Sequence, residues 1–241
     1  MHDVSHPGPR IIIGFGDGSV FITETVLFAI IVAVILIVLA LFLTNRMEKV
    51  PRGKQVIAET IVELVYNLVE SNMGKHNLRF APYIGTLIVY LVFCNAGGLF
   101  GIRPVTADVN MTFGFSLITF GLIQVSAIKA NGAGGYLHHM CKPFPVMLPM
   151  NILEQITLPI SLGFRLFGNI TGGMIIMALL MGGLHTASAA LHLPIPLLQT
   201  IIPLPANLFF DVFEPALQAF IFTMLTMVFI AKELPQPDEE H

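Results

Sequence analysis

The chain has 241 residues, of which 55% are hydrophobic and only 11% charged, with a mean hydropathy of +0.80 and a formal net charge of −3. Soluble domains carry about 25% charged residues, so a soluble catalytic domain is excluded, and the small net charge gives no sign of nucleic-acid binding. At ~20 residues per span there is room for about five or six membrane helices and little else.

Taken in order, Met1 to Thr25 is polar and Gly/Pro-rich and is expected to be an extracytoplasmic N-terminal segment, residues 1–25. It has no basic n-region, and the apolar run behind it is too long for a cleaved signal, so it is expected to stay attached. Val26 to Leu43 carries no charge, which predicts the first membrane helix within residues 26–44. It stops at the basic patch Arg46, Lys49, Arg52, Lys54. Gln55 to Asn72 then changes period: Ile57, Ile61, Leu64, Val65 and Leu68 share one helical face, with Glu59, Glu63 and Glu70 opposite. This predicts one amphipathic helix on the inner membrane surface or against a partner, within a cytoplasmic segment 45–79. Its acidic face favours a protein partner over anionic lipid.

Phe80 to Ile102 and Val109 to Ile128 are uncharged, with Asn95 in the first and Gln124 in the second, and form a predicted transmembrane hairpin over residues 80–128. Lys129 to Pro143 reads as a Gly-rich loop in a cytoplasmic segment 129–145, and Pro149 to Leu184 as one apolar stretch. That stretch would reach about 54 Å, well beyond a ~30 Å hydrocarbon core, so it is either steeply tilted or broken near Gly172-Gly173. His185 to Pro203, with Pro194 and Pro196, reads as a turn. Leu204 to Ala231 is a second over-long helix, so residues 146–231 hold two long helices, and 232–241 is a polar tail. The expected fold is an all-α integral membrane protein with about five membrane helices, one amphipathic interfacial helix, and the last two spans long and strongly tilted. Nine basic residues fall in the segments that would lie inside and two, Arg10 and Arg103, outside, which predicts an external N-terminus and a cytoplasmic C-terminus. Cys94 and Cys141 form no CxxC pair and read as small apolar fillers.

Three polar features interrupt the apolar runs. Arg165 is followed by no charged residue until Asp211 and preceded by none back to Glu154. Its guanidinium cannot shed a proton, and a charge at that depth marks function by default. Gly168, Gly172 and Gly173 flatten the helix near it, as small residues do where another helix must come close. Glu154 lies eleven residues before Arg165 on the same stripe as Ser161, ~16 Å away along a helix, too far for a direct salt bridge. On the last helix Asn207, Asp211, Glu214 and Gln218 fall at i, i+4, i+7 and i+11, on one face of an ideal helix. Two carboxyls one turn apart repel if both are ionised, and one that holds a proton is what a proton carrier requires. No spacing points to a metal: His138 and His139 are adjacent on a loop, and with His185 and His192 they lack the helical pairing with an acid that a metalloprotease would show.

Leu162-Gly163-Phe164-Arg165-Leu166-Phe167-Gly168-Asn169 and Leu217-Gln218-Ala219-Phe220-Ile221-Phe222 resemble the two signature segments of the a subunit of rotary F-type ATP synthases. Pro51-Arg52-Gly53-Lys54, Cys94-Asn95, Thr106-Ala107-Asp108-Val109-Asn110 and Asn151-Ile152-Leu153-Glu154 follow the same order, so the likeness runs from about Ile22 to Ile230. It implies a stator subunit beside a rotating ring of c subunits, with b-type peripheral stalk subunits and the lipid bilayer as further partners, and H⁺ or Na⁺ as the transported ion. No cofactor is implied. It implies that Arg165 attracts the ionised ring carboxylate and keeps two ion half-channels apart, that Asn169 and Gln218 lie beside that contact, that Glu154 serves the inner half-channel and Asn95 the outer. Many relatives carry a glutamate nine residues after the arginine, where this chain has Met174, and many bacterial relatives a histidine seven residues before the glutamine, where this chain has Asp211. The outer relay is therefore expected on the last helix, at Asp211 and Glu214. A bacterial plasma membrane is the expected location, ahead of a thylakoid. A free-standing ion channel or secondary transporter is the alternative, although the chain shows no long internal repeat.

Overall fold

A computed structural model describes residues 11–15, 20–45, 47–140, 145–190 and 201–234. The architecture is all-α apart from one short antiparallel hairpin, β1 (Ile11–Phe15) with β2 (Val20–Thr23). The helices are α1 (Glu24–Thr44), α2 (Lys54–Met73), α3 (Ala81–Asn95), α4 (Val109–Met140), α5 (Leu148–Ala190) and α6 (Pro203–Glu233). Short 3₁₀ turns at Lys75–Phe80 and Ala96–Phe100 extend both ends of α3. Among the described residues five stretches are long and apolar enough to cross a membrane: Glu24–Thr44, Lys75–Leu99, Val109–Gly132, Leu148–Ala190 and Pro203–Glu233. The chain is a multi-pass membrane protein.

Three local departures from the expected pattern have clear causes. The Gly-rich segment after Lys129 is helical through Met140, and only Gly132 leaves helical geometry, at φ 70°, a conformation a side chain disfavours. The long apolar stretch does not break at Gly172-Gly173: α5 runs unbroken for 43 residues, ~65 Å, and carries His185 within it. In α6, Pro203–Leu208 and Glu214–Glu233 are joined by a π-turn over Phe209–Phe213, in which the Glu214 N–H donates to Phe209 O. The slip sits just before Pro215, whose ring has no N–H and crowds the carbonyl one turn upstream.

The described residues group into two compact units. One unit comprises the residues up to Val32, Leu91–Thr112 and Phe164–Ala219. Its core includes Ala29 and Val32 of α1, Val105 and Ala107, and Leu166 and Ile170 of α5. The second unit comprises Ala33–Tyr90, Phe113–Gly163 and the residues from Phe220 on. Its core packs Val69 and Met73 of α2 with Phe80, Ala81, Ile84, Ile123, Met227, Ile230 and Leu234.

In the second unit α4 presents small hydroxyl residues inward, with Ser116, Thr119 and Ser126 buried. Such residues let helix backbones approach where lipid offers no hydrophobic drive to associate. Their hydroxyls are used: Thr119 bonds the Tyr83 hydroxyl at 3.0 Å, and Ser116 donates to the Pro159 carbonyl. The face of α2 that packs is not the whole stripe read from periodicity. Val69 and Met73 are buried and Val65 and Leu68 partly so, whereas Ile57, Ile61 and Leu64 are exposed. α2 thus closes the core with its Val69–Met73 edge and leaves the Ile57, Ile61 and Leu64 edge open.

Candidate functional site

The first unit builds its chemistry on α5. The first unit takes up α5 from Phe164, and there Leu166, Ile170 and Gly173 form the buried side of the helix, spaced at i, i+4 and i+7. Arg165, Gly168 and Asn169 fall on the other side and are exposed. A Cβ added at Gly168 or Gly172 would meet nothing within 4 Å, so this face is bare backbone around the guanidinium. Among the described residues no side chain or carbonyl pairs with Arg165. Two of the glycines singled out from the sequence thus flank the open face, and the third does not: Gly173 is buried, and a Cβ there would lie 2.8 Å from Phe210 Cδ1 and 2.9 Å from Glu214 Oε2.

The acids of α6 meet different segments of the first unit. Asp211 lies within the π-turn and its Oδ1 would be 3.5 Å from a Cβ on Gly98. Glu214 begins the next α-helical stretch and turns its carboxyl onto Gly173 of α5. The extra residue in the turn adds rotation to everything beyond it, so i, i+4, i+7 arithmetic fails across it. Glu214 Oε2 is buried and has no hydrogen-bond partner among the described residues, and Gln218 is buried one turn further on. Both carboxyls therefore reach toward other segments of the same unit rather than toward each other.

Asn95 is fully buried at the end of α3, its Oδ1 accepting from the Thr106 hydroxyl at 2.5 Å while Nδ2 is buried with no partner among the described residues. Two residues after Thr106 sits a further carboxylate. Asp108 caps α4, its Oδ1 accepting from the Asn110 N–H at 3.0 Å, and its Oδ2 accepts from the Thr25 hydroxyl at 2.7 Å. Thr25 in turn shares a 2.8 Å hydrogen bond with Thr23. An Asp immediately before an apolar run is a helix-start signal, so the cap was readable from sequence, but its partner on α1, 83 residues away, was not. Replacing Thr25 by valine removes one donor from a nearly buried carboxylate. We expect a loss of about 1.5–3 kcal/mol, the range for hydrogen bonds to charged groups, read as a lowered thermal midpoint of the purified protein in detergent, with Thr25→Ser close to wild type.

In the second unit, Glu154 forms a salt bridge with Lys232, Nζ to Oε1 2.5 Å, both side chains about half exposed. Spacing along the sequence excludes Arg165 as the partner of Glu154, and Lys232 lies 78 residues on. Next to it, Gln155 accepts from the Gln124 amide, and the Tyr136 hydroxyl donates to both Gln124 and Gln155. Burial, and then the Glu233 carboxylate, raise Tyr136 above its ordinary value of 10.0, so its hydroxyl keeps its proton and acts as a donor. The Asn131 amide donates to the Glu233 carbonyl at 3.1 Å. This gives the second unit a polar patch of Gln124, Tyr136, Glu154, Gln155 and Lys232.

Among the described residues no three His, Cys, Asp or Glu side chains come together to hold a metal. Cys94 is buried. Cys141 and His192 lie outside the described residues, as do the side chains of His138 and His139.

The family described as ATP synthase A chain matches residues 26–231. The chain is 32% identical over 218 residues to an ATP synthase subunit a of Moorella thermoacetica, covering 90% of this chain and 93% of the relative. It is 35% identical to an ATP synthase subunit a 2 of Bradyrhizobium, covering 90% and 91%. It is 32% identical to the sodium ion specific ATP synthase subunit a of Propionigenium modestum, covering 87% of this chain and 73% of the relative. With a match that takes in all five spans, the arginine-bearing helix α5 and the acid-bearing helix α6, the chain belongs to the ATP synthase A chain family.

Proposed function

We propose that this chain is the membrane stator of a rotary ATP synthase, providing two ion half-channels to a ring of c subunits and coupling ion movement to ring rotation through Arg165. The observation that carries the proposal is a permanently charged side chain on the open face of α5, flanked by bare glycine backbone and unpaired among the described residues. A charge left so in an apolar helix demands a counter-charge. The counter-charge that suits it is a carboxylate borne by a neighbouring, moving protein that glides over Gly168 and Gly172.

In this mechanism an ion enters from outside by way of Asp211 and Glu214, with Asn95 near the entry. It neutralises a ring carboxylate that Arg165 has just released, and the neutral site then turns into lipid. An unneutralised carboxylate in hydrocarbon is too costly to make that journey, so rotation in one direction requires loading first. After nearly a full turn the site discharges toward the inside near Glu154, whose bridge to Lys232 lies at the half-exposed end of α5. Asn169 and Gln218 flank the arginine contact. The partners are the c-ring and b-type stalk subunits, the ion is H⁺ or Na⁺, and the site of action is a bacterial plasma membrane with the N-terminus outside and the C-terminus in the cytoplasm. The α5 length, about twice a ~30 Å hydrocarbon core, is consistent with a strong tilt against a curved ring.

The test compares the chain with and without its ring. Reconstituted alone in liposomes it is expected to pass almost no ions, and with the ring subunits to pass them at a rate that falls to background when Arg165 is absent. A free-standing channel or secondary transporter predicts the opposite, full flux from this chain alone.

A further inference from the structure

We propose that Gly173 is a positioning residue: its missing side chain leaves the gap in α5 that receives the Glu214 carboxyl, and this contact holds the carboxyl in the ion path. The inference rests on the reading of Glu214 as part of that path, and deepens it. Three observations converge. Gly173 is buried while Gly168 and Gly172 are not. A Cβ at 173 would come within 2.9 Å of Glu214 Oε2, closer than real Cβ atoms approach, whereas at 168 and 172 it would meet nothing. The same carboxyl oxygen is buried with no donor to satisfy it among the described residues. A buried carboxyl oxygen without a donor is unfavourable unless the group holds a proton or meets an ion. The carboxyl is thus held against the backbone of α5 one residue from Met174.

The π-turn explains how α6 achieves this. Phe210 and Glu214 both press on Gly173, while Asp211, within the π-turn over Phe209–Phe213, lies against Gly98. The competing explanation is that Gly173 only makes room for the Phe210 ring, 2.8 Å from the same Cβ.

The experiment measures ATP-driven ion pumping by the whole complex in inverted vesicles, with each variant compared at equal amounts of assembled complex. Gly173→Ala is expected to lower pumping about tenfold or more, the scale of overpacking by one carbon. Combining it with Glu214→Asp, which shortens the acid by one methylene, is expected to recover most of that loss. Combining it with Phe210→Leu is expected to recover little. Glu214→Gln tests the underlying path separately: if that variant pumps normally, the reading of the path falls. If Glu214→Gln is inactive while Gly173→Ala pumps like wild type, or if Phe210→Leu restores Gly173→Ala and Glu214→Asp does not, the positioning role is overturned and the path stands.

Discussion

Replacing Arg165 by alanine is expected to abolish ion-driven ATP synthesis while leaving the complex assembled. The guanidinium is exposed on α5 and has no hydrogen-bond or ion-pair partner among the described residues, so the effect should lie on coupling rather than on folding. Removing one partner of a desolvated charge pair costs about 2–5 kcal/mol. At 1.4 kcal/mol per decade that corresponds to a fall of roughly 30- to 4,000-fold. Lysine is expected not to restore the activity, because a buried ammonium loses its proton readily and offers a point charge in place of a planar fork. The measurement is ATP synthesis in inverted vesicles after an imposed ion gradient, with ATP hydrolysis by the same membranes as the control for assembly. Retained synthesis in the alanine variant would remove the assignment of Arg165 as the coupling residue.

The second large effect concerns the acids of α6. The double variant Asp211→Asn, Glu214→Gln is expected to eliminate ATP-driven pumping, since both groups that would carry the ion in from outside lose their ability to bind it. The structure adds a finer expectation. Asp211 reaches toward Gly98 and Glu214 toward Gly173, so the two stand at different points rather than forming one paired site. Each single substitution should then impair pumping by itself, and neither acid should compensate for loss of the other. Pumping intact in the double variant would show that ions reach the ring by another route. Both substitutions keep the side-chain volume, so packing against Gly98 and Gly173 is preserved and the readout is chemical.

Much of the fold was legible because hydropathy is a local property. An uncharged run such as Val26 to Leu43 leaves an α-helix as its only satisfied form in lipid, whatever packs beside it. The isolation of Arg165 between Glu154 and Asp211 was equally plain, since it is a statement about charge along the chain. Periodicity served less well where helices depart from 3.6 residues per turn. It placed Asp211 and Glu214 on one face of an ideal helix, but the π-turn at Phe209–Phe213 interrupts that period, and the two acids meet Gly98 and Gly173 respectively. It assigned α2 a single apolar face, whereas Val69 and Met73 enter the core and Ile57, Ile61 and Leu64 stay open. It grouped Gly173 with Gly168 and Gly172, although 100° per residue turns adjacent positions to different sides of the helix.

The amino-acid order alone therefore determined that this is a chain of apolar spans whose last two are interrupted by one fixed cation, Arg165, and three acids, Glu154, Asp211 and Glu214, because length, hydropathy and charge require no knowledge of neighbours. Only the tertiary structure decided who meets whom: Thr25 with Asp108, Lys232 with Glu154, the Glu214 carboxyl with the bare backbone of Gly173. The physical reason is that a helix period gives a side chain's direction about its own axis. What lies in that direction depends on segments about 40 to 80 residues away, and on turns that shift the direction on the way.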